Sequence, residues 1–106
     1  MSDTRSGVER IADERLRQIM TEGYSAEHDD GHIHGELAMA AACYAAPERL
    51  YEMREAFCDP WPFDEEDDKR QPPDRRTSPE ARIRLLEKAG ALIAAEIDRL
   101  LRKKTV

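Results

Sequence analysis

The sequence predicts an all-α protein, a small bundle of three to four helices that we expect to be oligomeric. Apolar residues recur at the three- and four-residue spacing of amphipathic helices along most of the chain. No segment alternates apolar and polar residues in the way that strands do. The length fits one domain spanning 1–106, with a helical region at 6–58, a loop rich in proline and charge at 59–78, and a long C-terminal helix at 79–102.

The first helix is predicted from about Gly7 to Thr21, and Gly23 is expected to stop it. Arg15 and Glu22 project onto the margin of its apolar face. The residues of that broad face are Val8, Ile11, Ala12, Leu16, Ile19 and Met20.

The second helix is predicted to begin between Gly31 and Gly35 and to end at Ala46. It is apolar nearly all round, which is typical of a buried helix, and its alanines would let neighbouring helices approach closely. Pro47 suits the first position of a third, shorter helix. The apolar residues of this third helix are Leu50, Tyr51, Met53, Ala56 and Phe57.

The last helix has a strong start signal, with Ser78 as the cap, Pro79 in the first position and Glu80 in the first turn. Its length and broad apolar face also favour self-association, and the long helices together predict an antiparallel bundle. One face of this helix carries Ile83, Leu86, Ala89, Gly90, Ile93, Ile97 and Leu100.

Composition excludes several classes of function. The net charge of −6 argues against general binding of DNA or RNA, which requires a basic surface. No apolar run approaches the roughly 18 residues of a membrane span, and the polar N-terminus lacks the apolar segment of a signal peptide. The two cysteines, Cys43 and Cys58, do not make a disulfide framework. We therefore expect a cytoplasmic protein with reduced thiols.

The densest polar cluster lies at 27–36 and contains all three histidines of the chain. Three interpretations are open. Asp29 or Asp30 caps the second helix, the cluster binds a polar ligand, or His28 and His32 take part in a metal site. No CxxC or HExxH pattern supports zinc binding.

Three carboxylates, Glu22, Glu36 and Glu96, stand against apolar stripes of different helices or their ends. A buried carboxylate is unfavourable without a partner. Either these groups form salt bridges between helices, or they converge on a pocket that holds Mg²⁺ or accepts hydrogen bonds from a nucleobase or ribose. The cations available for salt bridges are Arg15, Arg82, Lys88 and Arg99.

Trp61, the single tryptophan, lies between two prolines that favour an extended segment. Either this loop folds back and closes the bundle with Trp61 and Phe63, or it forms an aromatic lid that stacks on a base with help from Arg75 or Arg76. Tyr24 and Tyr44 have the same two interpretations, with Tyr44 favoured as core. Cys43 is expected to pack as a small apolar residue.

The chain resembles a family of small bacteriophage and prophage proteins over nearly its whole length except 64–78. The likeness is strongest in four stretches: 14–24 with Glu14, Arg15, Arg17, Gln18, Glu22, Gly23 and Tyr24; 28–45 with His28, Asp29, Asp30, His32, Gly35, Glu36, Cys43 and Tyr44; 61–63; and 88–97 with Lys88 and Glu96. This resemblance implies a phage setting.

A weaker resemblance is to all-α nucleotide pyrophosphohydrolases of the MazG-like type, which hold Mg²⁺ with an ExxE pair and an ExxD pair on facing helices. Here Glu52 and Glu55 form an ExxE pair, but the following ExxD, Glu65 with Asp68, falls in the predicted loop. The resemblance implies an oligomeric bundle with a nucleotide-sized pocket.

The leading hypothesis is a phage-type protein that sequesters a host signalling nucleotide, a cyclic dinucleotide or an ADP-ribose derivative, and so inhibits antiviral defence. It assigns no catalytic residue and no cofactor. The alternatives are a hydrolase using Mg²⁺ and an acidic inhibitor that binds a host protein through the 64–68 run. The expected ligand-binding residues are Arg15, Gln18, Glu22, Tyr24, His28, Asp29, Asp30, His32, Glu36, Trp61, Lys88 and Glu96.

Overall fold

A computed structural model describes residues 3–46, 61–70 and 78–104, so the predicted third helix from Pro47 lies outside the described residues. The elements are α1 (Gly7–Met20), α2 (Ala26–Asp30), α3 (Glu36–Ala45), a 3-10 turn (Glu65–Asp67) and α4 (Pro79–Lys104). No strand occurs among these residues, and the all-α prediction is confirmed. Within the same ranges, no helix is both long and apolar enough to cross a bilayer.

The helix starts follow local side-chain chemistry at two of the three long helices. The Ser6 hydroxyl accepts from the backbone N–H of Glu9, and the Glu9 carboxylate accepts from that of Ser6, which forms a capping box before α1. The predicted cap of α4 is confirmed, because the Ser78 hydroxyl accepts from the N–H of Ala81 at 3.1 Å. Gly35 precedes α3 with a φ of 81°, a left-handed conformation that favours glycine.

The prediction that Asp29 or Asp30 caps the second long helix is wrong. Both residues belong to α2, a short helix that the sequence analysis did not anticipate. The hydroxyl of Ser25 caps α2 by accepting from the N–H of His28 at 3.2 Å. Asp29 and Asp30 are therefore free to pair with cations, as described below.

Helix α4 is the central element, and α1, α2 and α3 all pack against it. The predicted antiparallel arrangement is confirmed for α3 and α4, because Arg82 near the start of α4 donates to the carbonyl groups of Tyr44 and Ala46 at the end of α3, at 3.4 and 3.1 Å. This guanidinium satisfies carbonyl groups that the helix end leaves without partners. The core between the helices consists of Leu37, Ala40, Ala41, Tyr44, Leu85, Ala89, Leu92 and Ala95.

The buried face of α4 is not the large apolar face that the spacing indicated. Five of the seven residues of that face are 42–52% exposed, namely Ile83, Leu86, Ile93, Ile97 and Leu100. The face that packs is richer in alanine, and alanines of α3 lie against it. Small side chains on both helices permit a close approach of the two backbones, which the larger isoleucines would prevent.

Helix α1 likewise buries a different face from the apolar one that the spacing indicated. It buries Glu14 and Gln18 and leaves most of its large apolar side chains in solvent. Ion pairs hold its polar side against α4, with Arg10 to Glu87 at 3.1 Å and Glu14 to Arg84 at 2.7 Å. The exposed apolar residues of α1 are Val8, Leu16, Ile19 and Met20.

Gly90 marks a close approach of α1 and α4. A Cβ atom at this position would lie 2.6 Å from Cδ1 and 2.7 Å from Cγ1 of Ile11. We expect Gly90→Leu to lower the free energy of unfolding by about 1–3 kcal/mol through overpacking, although leucine is the better helix former. Urea denaturation followed by circular dichroism measures this change. The cost should shrink in an Ile11→Ala background, and an equal cost in both backgrounds would show that Ile11 is not its source.

Candidate functional site

An aromatic pocket of about 190 Å³ lies between α2, α3 and the 61–70 segment. It combines apolar and ring side chains with a carboxylate at its edge, as small-molecule sites commonly do. The residues that line it are Tyr24, His28, His32, Leu37, Ala40, Tyr44, Trp61, Phe63, Asp67 and Leu92.

The rings of this pocket form a continuous wall. Tyr24 stacks on His28 with a centroid separation of 4.7 Å and an angle of 2° between the rings. His32 meets His28 and Phe63 edge to face at 4.8 and 5.0 Å, and Phe63 meets Trp61 in the same way at 5.8 Å. Each ring is thus oriented by at least one neighbour, in the geometry that aromatic pairs prefer.

The Trp61 segment is anchored to the bundle and forms part of the wall. Trp61 and Phe63 are half-buried and pack against the core, in agreement with the interpretation that the loop folds back. The N–H of Lys69 donates to the hydroxyl of Tyr44 at 3.1 Å, which attaches the far end of the segment to α3. Burial raises the pKa of Tyr44 to about 12, so this phenol remains protonated. Arg75 and Arg76 lie outside the described residues.

A cationic pocket of about 520 Å³ adjoins the aromatic pocket. A third, small pocket of about 30 Å³, which we call the neck, shares lining residues with both. The neck shares Tyr24, Tyr44 and Leu92 with the aromatic pocket and shares Lys69 and Lys88, among others, with the cationic pocket. We call the three parts together the groove. The cationic pocket is lined by Arg17, Glu22, Lys69, Arg70, Ala81, Arg84, Leu85 and Lys88.

Two carboxylates hold the arginines of the cationic pocket in place. The buried Glu14 accepts two hydrogen bonds from Arg17, at 2.8 and 2.9 Å, and pairs with Arg84 at 2.7 Å. Burial acts to raise the pKa of Glu14, but the two guanidiniums outweigh it and lower the pKa to about 2. Glu22 pairs with Arg17 at 2.9 Å, and the hydrogen bond from this guanidinium lowers its pKa. Both arginines are therefore oriented before any ligand arrives.

The neck contains polar groups that lack a partner among the described residues. Lys88 is half-buried and makes no hydrogen bond or ion pair with them, and burial together with the nearby Arg84 lowers its pKa. Gln18 is buried and donates to Glu14 at 3.4 Å, whereas its side-chain oxygen Oε1 has no donor. A buried polar atom without a partner is uncommon in folded proteins. The neck thus offers a cation and an acceptor to a ligand.

A chain of hydrogen bonds runs behind the aromatic wall. Nδ1 of His28 lies 2.9 Å from Asp29, which is fully buried and pairs with Arg15 at 3.1 Å. Nδ1 of His32 lies 3.3 Å from Glu36, and the two Nε2 atoms lie 3.4 Å apart. Partial desolvation acts to raise the pKa of Glu36, but hydrogen bonds, first among them the one from the His34 N–H, lower it overall. Glu36 is therefore an acceptor for His32.

The structure brings together part of the site that the sequence predicted. Tyr24, His28, His32 and Trp61 line the aromatic pocket, and Gln18, Glu22, Tyr24 and Lys88 line the neck. Arg15, Asp29 and Glu36 stand behind the histidines. The residues placed elsewhere are Asp30, which pairs with Arg102 at 2.8 Å, and Glu96, which pairs with Arg99 at 2.5 Å.

Among the described residues, the three carboxylates Glu22, Glu36 and Glu96 each contact a different partner. Glu22 borders the cationic pocket, whereas Glu36 contacts His32 and Glu96 contacts a cation of its own helix. Within residues 3–46, 61–70 and 78–104, no three His, Cys, Asp or Glu side chains are grouped closely enough to hold a metal ion by themselves.

Sequence reasoning missed much of the cationic pocket. Lys69 and Arg70 belong to the 59–78 loop, which the sequence marked only as rich in proline and charge, and Arg17 and Arg84 were not singled out for ligand binding. Arg17 and Arg84 come from helices far apart in the chain and meet only at Glu14. No local sequence pattern predicts that these two side chains lie close together. Phe63 was named beside Trp61, and its ring contact with His32 could not be foreseen.

No protein-family profile, curated protein or solved structure shows a significant match to this chain.

Proposed function

We propose that the chain binds a nucleotide in the groove, with a base in the aromatic pocket and phosphates in the cationic pocket. The observation that carries the proposal is the placement of an aromatic pocket near a cationic pocket, with a neck that shares lining residues with both. Bases stack on aromatic side chains, and arginine recognises phosphate oxygens through paired hydrogen bonds. The unpartnered oxygen of Gln18 suits an N–H or O–H donor of a base or ribose.

Sequestration agrees better with these groups than cleavage does. The carboxylates nearest the cationic pocket, Glu14 and Glu22, have lowered pKa values because arginines hold them. Because the guanidiniums of Arg17 and Arg84 already occupy these carboxylates, a reacting water or a metal ion would have to displace them. We therefore propose a phage-type protein that acts in the host cytoplasm, where it withdraws a signalling nucleotide, a cyclic dinucleotide or an ADP-ribose derivative, from antiviral defence. The phage setting rests on the sequence resemblance alone.

The direct test incubates the purified protein with a panel of nucleotides, removes free ligand, and identifies by mass spectrometry what heat releases. The panel contains cyclic di-GMP, cyclic GMP–AMP, ADP-ribose and ATP, each with Mg²⁺. We expect one compound to be retained and released intact in a stoichiometric amount. A shortened product would replace sequestration with hydrolysis, and an empty panel would contradict nucleotide binding by these classes.

Lys88 provides the matched variant for this test. We expect Lys88→Gln to weaken binding of the retained compound about 10- to 100-fold, because a hydrogen bond to a charged group contributes about 1.5–3 kcal/mol. Lys103→Gln is the control, since it removes the same charge from an exposed position near the end of α4. Isothermal titration calorimetry measures both affinities. Equal affinities in the two variants would remove Lys88 from the binding site.

We also propose that a second copy of the chain covers the exposed apolar face of α4. Monomeric proteins rarely expose apolar patches larger than a few hundred Å². The exposed residues of this face, which we call the seam, are Ile83, Leu86, Ile93, Ile97 and Leu100, whereas Gly90 among them is covered by Ile11 of α1. Contact between Gly90 and Ile11 connects it to α1, which exposes further apolar residues. A self-complementary apolar seam of this kind suits a symmetric dimer.

A further inference from the structure

We infer that His28 and His32 form a binding site for a divalent transition metal of the Zn²⁺ class in the wall of the aromatic pocket. The inference concerns these two histidines and the groups behind them, and it does not depend on nucleotide binding. It rests on the separation of two nitrogen atoms, on the carboxylates that favour one tautomer of each ring, and on the packing that holds both rings.

The separation of the two imidazoles matches shared coordination. Their Nε2 atoms lie 3.4 Å apart. Zinc binds histidine nitrogen at about 2.0–2.1 Å in tetrahedral geometry, which places two nitrogen ligands about 3.3 Å from each other. A metal ion therefore fits between the two rings without a large movement of either.

The partners of the outer nitrogens determine the tautomer of each ring. Nδ1 of His28 lies against a carboxylate oxygen of Asp29 at 2.9 Å, and Nδ1 of His32 lies against one of Glu36 at 3.3 Å. Ionised carboxylates only accept hydrogen bonds, so each Nδ1 carries its hydrogen. In that tautomer each Nε2 carries a lone pair, and the two Nε2 atoms are close enough to bind one metal ion together.

The carboxylates also form the support that metal-bound histidines usually have. A histidine ligand typically donates its other N–H to a carboxylate or carbonyl, which fixes the tautomer and the ring orientation. Asp29 is fully buried, and its pair with Arg15 keeps it in place. Glu36 is similarly held, because its second oxygen accepts from the N–H of His34 at 2.6 Å.

Packing holds both rings in the required orientation. Tyr24 stacks on the face of His28, and Phe63 and His32 meet edge to face at 5.0 Å. Neutral imidazole favours Zn²⁺, Co²⁺, Ni²⁺ and Cu²⁺ over Mg²⁺ or Ca²⁺. Two protein ligands leave the other coordination positions to water or to an oxygen or nitrogen of a molecule in the aromatic pocket.

The test titrates protein without an affinity tag with Zn²⁺ by calorimetry and with Co²⁺ by visible absorption, with no nucleotide present. We expect one ion per chain. Binding should be lost in His28→Ala and in His32→Ala and should be retained in His34→Ala, the third histidine, which is exposed and outside the pair. Failure of the nucleotide panel with success here would reject the proposed function and keep the metal site.

Glu36 positions His32 without binding the metal itself, so its replacement should weaken Zn²⁺ binding without abolishing it. Glu36→Gln should weaken Zn²⁺ binding about 10- to 100-fold, as is usual for loss of a carboxylate behind a histidine ligand. Nitrogen NMR of the unaltered protein covers the case in which a histidine variant fails to fold, because Zn²⁺ should shift the Nε2 signals of both histidines together. The inference is overturned if millimolar Zn²⁺ leaves these signals unchanged, or if His34→Ala loses as much affinity as the other two variants.

Discussion

Replacing Asp29 with alanine is expected to lower the free energy of unfolding by about 3–5 kcal/mol, the usual cost of removing one partner of a buried ion pair. Asp29 is fully buried and lies 3.1 Å from Arg15. Two nitrogens of Arg15, Nε and Nη1, are buried and already lack a hydrogen-bond partner within the part of the chain that the structure describes. Removal of Asp29 would leave this guanidinium with Asp98, at 4.0 Å, as its remaining described carboxylate. His28 would also lose the acceptor at Nδ1.

The adjacent residue supplies the control. Asp30 makes an ion pair of similar length with Arg102, at 2.8 Å, but both side chains are substantially exposed. Exposed pairs contribute about 0–1 kcal/mol, so Asp30→Ala should change stability little. Chemical denaturation of the two variants compares them directly. Similar losses of stability would show that burial of Asp29 is not the source of its effect.

Replacing both Ile97 and Leu100 with glutamate is expected to convert the proposed dimer into a monomer. These residues are 52% and 48% exposed and occupy adjacent positions of the seam on α4. In the double variant, the two introduced glutamates would be hydrated in the monomer. Burying them between two copies of the chain would remove that hydration, which is strongly unfavourable. We expect the dissociation constant of the dimer to rise at least about 1,000-fold, equivalent to about 4 kcal/mol.

Light scattering during size-exclusion chromatography measures this change over a range of concentrations. Lys103→Glu is the control, because it places a glutamate on an exposed position of the same helix outside the seam. It should leave the mass unchanged. A monomeric mass for the unaltered protein at high concentration would contradict the dimer, and a dimeric double variant would place the interface on another surface. Circular dichroism verifies that the helices persist in all three proteins.

Part of the candidate site could be predicted from the local sequence, and part could not. The histidine cluster, Tyr24 and Trp61 were identifiable because their residue types are uncommon and concentrated in this chain. Gln18 was named only in the resemblance to phage proteins, whereas Lys88 was also named as a cation available for salt bridges. Their positions in one neck became evident only when α1 was placed against α4. The cationic pocket could not be predicted from the sequence, because its charged residues come together from α1, the 61–70 segment and α4.

By itself, the sequence determined the three long helices among the described residues and several of their ends. Spacing, the Ser78 cap and the glycines before α3 predicted α1, α3 and α4 to within a few residues, because helical hydrogen bonds and caps involve only neighbouring residues. It did not determine which face each helix buries. The tertiary structure decided this, turning the alanine-rich face of α4 and the charged face of α1 inward. Close approach of backbones and ion pairs such as Glu14 with Arg84 depend on partners distant in the chain, which periodicity cannot specify.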